Sequence, residues 1–106
     1  MNITRNDQFG QPILRVHGRL TNGTFPDLLL ELRRLRQEVH SRVALDLSWV
    51  TRMGRAQALL LQDVRDNMAR RGVTLSLIGL SPAAIEAMGQ AATLRRRQRH
   101  SRPRWH

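Results

Sequence analysis

The sequence predicts a single α/β domain with a mixed β-sheet of about four strands and helices packed mainly on one face. Three observations predict it. A chain of 106 residues makes one domain with one modest core. Segments with the two-residue period of a strand alternate with segments of helical period, in the order β, β, α, β, α, β, α. Strands alternating with helices need parallel crossovers, with the helices lying on the sheet. Finally, 41% of the residues are hydrophobic but only two are Phe, two Trp and none Tyr, so the core must be built from Leu, Ile, Val, Ala and Met.

Each element follows from local pattern. Ile13 to Gly18 places Leu14 and Val16 on one face and Arg15 and His17 on the other. Met1 to Arg5 can pair with it as a short edge strand, across the turn-rich segment Asn6 to Gly10. Asn22-Gly23-Thr24 breaks the chain, and Thr24 is placed to cap a helix with Pro26 in its first turn. The apolar stripe of that helix is Phe25, Leu28, Leu29, Leu32, Leu35 and Val39. Val43 to Leu47 is a near-continuous apolar run, as in a strand covered on both faces. After a loop, a second helix is expected from about Met53 to Arg71. Met53, Ala56 or Gln57, Leu60, Leu61, Val64 and Met68 form its inward stripe, and Asp66 and Arg70 are spaced as an i, i+4 pair. Arg70-Arg71-Gly72 supplies cations at the negative end of the helix and then a glycine to end it. Val73 to Ile78 alternates as another strand. Ser81-Pro82 then opens a last short helix, with Ile85 and Met88 inward.

The net charge of +10 is uneven. The chain divides into a domain over residues 1–94 and an arginine-rich tail over 95–106, expected to be disordered. Arg95, Arg96, Arg97, Arg99, Arg102 and Arg104 carry the tail's charge, with Trp105 beside them. Such a tail suits a polyanion, either nucleic acid or an anionic membrane; the competing reading is a solvated tail. All eighteen basic residues are Arg and none is Lys, a bias that weakens any claim that each arginine has its own task. With no cysteine, disulfides and thiolate metal sites are excluded. Met1 to Gln11 is polar, unlike a signal peptide. No apolar run approaches the roughly 18 residues of a membrane span, so the expectation is a cytoplasmic protein.

Catalysis has little footing. His17 and His40 are isolated in sequence, and Asp46 has no second carboxylate or histidine near it. There is no phosphate-cradling glycine loop, nucleophile elbow or metal spacing. No enzyme activity, cofactor, metal or small-molecule substrate is expected.

Ala44 to Ala58, ALDLSWVTRMGRAQA, resembles the central strand–loop–helix of the STAS family, named after sulfate transporters and anti-sigma-factor antagonists. Leu14 to Leu20 (LRVHGRL) looks like the family's strand ending in Gly-x-Leu. Leu45-Asp46-Leu47-Ser48, with Val50 and Met53, looks like its Asp-Leu-Ser strand. Gly72 to Leu77 (GVTLSL) looks like the entrance to its next strand. No single piece is specific; their order and spacing carry the resemblance, which covers roughly Ile13 to Met88. Members usually bear Asp-Ser-Ser-Gly or Asp-Thr-Ser-Gly at the mouth of the helix, and a partner kinase phosphorylates the second hydroxyl. Here Gly54, Arg55, Ala56 and Gln57 stand in those places. Ala56 therefore occupies the phosphosite and cannot accept a phosphoryl group. Members also usually continue into another strand and a final helix, where this chain runs into its arginines.

The resemblance implies a non-enzymatic bacterial regulator that docks a kinase-like anti-sigma factor and so affects transcription. Its partner surface would be Ser48, Trp49, Thr51, Arg52, Gly54, Arg55, Ala56 and Gln57. Docking would be constitutive, or switched at Ser48 or Thr51, which also read simply as a strand end and a turn. Gly54 at a helix start hints at an anion, or at nothing more than a helix start. Trp49 either faces the partner or covers the end of the core. Two alternatives follow from the same features. One is an accessory subunit of a phospholipid ABC-type transport complex, docking the transporter ATPase. The other is nucleic-acid binding through the tail.

Overall fold

The computed structural model describes residues 2–100, with side chains through Leu94. Four strands and three helices follow in the expected order: β1 (Asn2–Gln8), β2 (Gln11–Leu20), α1 (Phe25–Arg36), β3 (Arg42–Met53), α2 (Arg55–Arg70), β4 (Thr74–Leu80) and α3 (Pro82–His100). The sheet order is β1-β2-β3-β4. β1 is antiparallel to β2, and β2, β3 and β4 are mutually parallel. Both crossovers step the same way across the sheet. Right-handed connections therefore lay α1 and α2 on one face, and α3 joins them in the same core.

β1 is longer than the sequence suggests. Asn6, Asp7 and Gln8 continue the ladder to Gln8 opposite Gln11, leaving a two-residue turn at Phe9-Gly10. Both turn residues have positive φ, 54° and 74°, the geometry whose twist matches that of a hairpin. The guanidinium of Arg5 forks between two carboxylates, reaching Glu38 at 2.8 Å and Asp7 at 2.9 Å, so it ties the edge strand to the loop after α1. Arg5, seconded by His40, pulls the Glu38 carboxyl down to about 2.

α1 buries Phe25, Leu28, Leu32 and Leu35. It ends at Arg36, so Val39 lies beyond it and is fully exposed, not part of the stripe. Thr24 holds the N-cap position, but its hydroxyl does not cap the helix. It accepts the Thr21 N–H at 2.8 Å and donates to the Arg19 carbonyl at 2.9 Å, fastening the β2–α1 loop instead.

β3 is the main correction. It runs twelve residues, through Trp49, Val50, Thr51 and Arg52 to Met53, where a loop was expected. Parallel pairing with β2 carries it on, at the cost of two extra residues in β3 where the register shifts. Val43 to Leu47 are all buried, as expected of that run. Val43, Leu45 and Leu47 point to the helices, while Ala44 and Asp46 are buried on the other face, Asp46 beside its neighbours Arg15 and Ser48. α2 accordingly starts at Arg55 and buries Gln57, Ala58, Leu61 and Met68; Leu60 is exposed. It ends as expected, at Gly72 with φ 83°. The Val73 N–H reaches the Met68 carbonyl at 2.9 Å and the Gly72 N–H reaches that of Ala69 at 3.0 Å, a Schellman ending.

Ser81 caps α3, its hydroxyl accepting the Ala84 N–H at 3.1 Å. That helix is long rather than short, and it buries Ala84, Ala87 and Ala91. Small residues let its backbone approach β3 and α2 closely. Ile85, expected inward, is more than half exposed. The α3 backbone continues through Arg95, Arg96, Arg97 and Arg99, since Arg and Gln favour helix and nothing there breaks it. The side chains of those arginines, and Arg102 and Arg104 entirely, lie outside the described residues, and so does the polyanion reading placed on them.

Candidate functional site

The parallel strands β2, β3 and β4 all end at one edge of the sheet, where α1, α2 and α3 begin. In open α/β sheets this edge is where partners and ligands are met. Its centre is the start of α2. Gly54 is the N-cap in extended conformation, with no side chain capping the helix and no acid in the first turn. A Cβ on Gly54 would collide with the Gln57 carboxamide, which is buried and bonded to Asn22 of the β2–α1 loop. This link seats the helix start against the neighbouring loop. Arg55 and Ala56 are left exposed at its tip.

Arg55 therefore puts a cation at the positive end of a sixteen-residue helix, against the usual preference for acids there. Two open grooves meet at Arg55. One runs between Thr51–Arg55 and the side of α3 at Ala83, Glu86 and Gln90. The other continues along α3 past Ile85, Gly89 and Leu94. Sequence reasoning missed this α3 wall because the helix was taken to be short and Ile85 inward. The signal was present in the alanines at 84, 87 and 91, which mark the buried stripe and leave Ile85 outside it.

The eight residues expected to form one partner surface fall into two groups. Thr51, Gly54, Arg55, Ala56 and Gln57 gather at the helix mouth, with Gln57 buried beneath it. Ser48 and Trp49 instead lie on β3, on the sheet face that no helix covers, and Arg52 joins the two groups, paired with Arg19 on that face and lining the groove at the mouth. There Asp46 accepts the Ser48 N–H at 2.9 Å, the Ser48 hydroxyl, and Arg15 Nε at 3.1 Å. Burial pushes the Asp46 carboxyl up, but the Ser48 hydroxyl and amide with Arg15 outweigh it and hold the group below the ordinary carboxylate range. Gly79 of β4 leaves room for this cluster, since a Cβ there would come within 2.7 Å of the Asp46 carboxylate. Asp46 thus ties Arg15 of β2 to Ser48 in the middle of β3. Trp49 is more than half exposed and stacks on His17, ring centroids 5.9 Å apart and planes 18° from parallel.

Among the described residues no three of His, Asp or Glu gather as a metal cage requires. No helix there is long and apolar enough to cross a membrane. No curated protein matches the chain. A family profile described as "Mlab, STAS domain" matches residues 3–95. With strand order, helix mouth and sequence pieces in agreement with that match, the chain belongs to the STAS domain family.

Proposed function

We propose that this chain is a constitutive protein-docking module that binds an ATPase-type partner through the mouth of α2 and the adjoining side of α3. STAS domains are typically non-enzymatic modules that mediate protein–protein interaction. One observation carries the particular reading: the exposed residue at the position of the family's phosphosite is Ala56, beside the exposed cation of Arg55. A phosphate there would add about two negative charges and change the contact; Ala56 cannot take one. Docking at this mouth is therefore not released by phosphorylation at that place.

The first partner we infer is a kinase-like anti-sigma factor, whose sequestration alters transcription in the cytoplasm. The missing hydroxyl equally favours an accessory role on the ATPase of a phospholipid transport complex, where a permanent contact is wanted. Affinity capture from native extract at moderate salt, with bound proteins identified by mass spectrometry, separates the two. Wild type and Ala56→Ser are expected to retain the same ATPase-type protein, and Ala56→Glu to lose it. Equal recovery on Ala56→Glu would show that the mouth is not the docking site. An anti-sigma factor in the bound fraction selects the first partner and a transporter ATPase the second.

A further inference from the structure

The open face of the sheet is not absorbed by docking at the helix mouth, and its side chains are not those of an idle surface. Three successive cross-strand pairs run along the two central strands: Arg15 opposite Asp46, His17 opposite Trp49, and Arg19 opposite Arg52. Their neighbours Val16, Leu20, Val50 and Met53 are buried on the helix side, so these six belong to the uncovered face. Alternate residues of a strand are about 7 Å apart, so the ladder extends for about 14 Å towards the C-terminal edge.

Two of the three pairs are unusual. Like charges directly opposite one another destabilise a sheet, yet Arg19 and Arg52 are paired, exposed, and without an ion pair to any acid among the described residues. Next to them stands the His17–Trp49 stack, with Trp49 58% exposed. Planar rings beside unneutralised guanidinium groups, on the central strands of an open sheet, match the chemistry of single-stranded nucleic acid. Bases stack on the aromatics and phosphates take the cations. An acidic peptide would satisfy Arg19 and Arg52 but bring nothing to lie on the rings. A lipid surface calls for several protruding apolar groups, and this ladder carries Trp49 alone of that kind beside the Arg15–Asp46 pair.

We infer that the uncovered sheet face binds single-stranded nucleic acid, with Trp49 and His17 as the stacking platform and Arg19 and Arg52 as the phosphate contacts. The net charge of the chain adds long-range attraction of the same sign. Binding is sequence-tolerant, because every base has a face to stack and no group on the ladder reads base edges in a fixed frame.

The arginines after Leu94 would bind the same ligand, so the test neutralises them in the full-length chain by replacing all six with Ser. Anisotropy of short fluorescein-labelled oligothymidylate and oligouridylate is then followed against protein concentration and salt. Trp49→Ala is expected to weaken binding at least about fivefold, the loss of one stacked base, with Trp49→Phe close to the parent. Arg19→Ser with Arg52→Ser is expected to flatten the slope of log affinity against log salt by about 1.4, from about 0.7 per phosphate contact on a single strand. Arg33→Ser with Arg36→Ser, which removes equal charge from α1, is expected to leave that slope within error of the parent. No binding in the tail-neutralised parent would overturn the inference. So would a Trp49→Ala variant equal to the parent, or an α1 variant as weakened as the sheet-face pair. Capture of anionic vesicles or polyglutamate through Trp49, with no oligonucleotide bound, would assign the face to another partner and overturn it as well.

Discussion

The two faces of the sheet are built from the same strands but obey different rules. On the helix side, β2 and β3 present Leu14, Val16, Leu20, Val43, Leu45, Leu47 and Val50, all essentially sealed from water against α1, α2 and α3. On the other side the alternate residues are Arg15, His17, Arg19, Asp46, Trp49 and Arg52. One face holds the fold through apolar area; the other carries charge and rings that contribute little to it. The difference separates the groups that packing needs from those left free to meet a partner.

Stability measurements can break that contrast. The largest effect belongs to the covered face. Leu45→Ala removes a fully buried side chain from the central strand and is expected to cost about 2–5 kcal/mol in urea unfolding. A loss below about 1 kcal/mol would mean that the core is not where the strands place it. Intermediate effects belong to the one buried carboxylate of the open face. Gly79→Ala forces the Asp46 carboxylate aside and is expected to cost about 1–3 kcal/mol. A neutral result would place the Asp46–Ser48 cluster elsewhere.

The carboxylates give the contrast a pH signature. Asp46 titrates below its ordinary value in the fold, so its contribution is present above the unfolded value of 3.8 and fades as pH falls through the folded one. The stability gap between wild type and Asp46→Asn should accordingly narrow below about pH 4 and be constant above about pH 5. Glu38, drawn from 4.5 to about 2 by Arg5, acts in the same sense between those two values. A gap that widened on acidification would reverse the assigned sign. The smallest effect belongs to the exposed ladder. Arg52→Ser should change stability by less than about 0.5 kcal/mol, on the stabilising side at low salt, because it relieves a like-charge pair. Added salt should erase that gain.

Much of the fold was legible because its signals are local. The two-residue period of Leu14 and Val16, Phe25–Leu35 at helical spacing, Gly72 after two arginines and Ser81 before Pro82 each act within a few residues. The failures share a cause in non-local pairing. Trp49 to Met53 lack strand alternation because two inserted residues in β3 break the period, and only β2 alongside shows that the strand continues. Asn6 to Gln8 read as turn for the same reason, since polar residues on an edge strand cost nothing. The candidate site suffered accordingly. Gly54, Arg55, Ala56 and Gln57 were found by resemblance, and the structure gathers them at one helix mouth. Ser48 and Trp49 are close to them in sequence but lie on another surface once the strand is extended. The α3 wall at Ile85 and Glu86 was signalled only by the alanines at 84, 87 and 91, far from the mouth in sequence.

The most direct measurement compares those two surfaces by one charge reversal each. Full-length chains carrying Arg55→Glu at the helix mouth and Arg19→Glu on the sheet face are used to capture the protein partner from native extract at moderate salt. Arg55→Glu is expected to lose the ATPase-type partner while Arg19→Glu retains it at the wild-type level. Retention by Arg55→Glu with loss by Arg19→Glu would contradict docking at the mouth, placing the protein interface on the open sheet and leaving the mouth of α2 as a structural helix start.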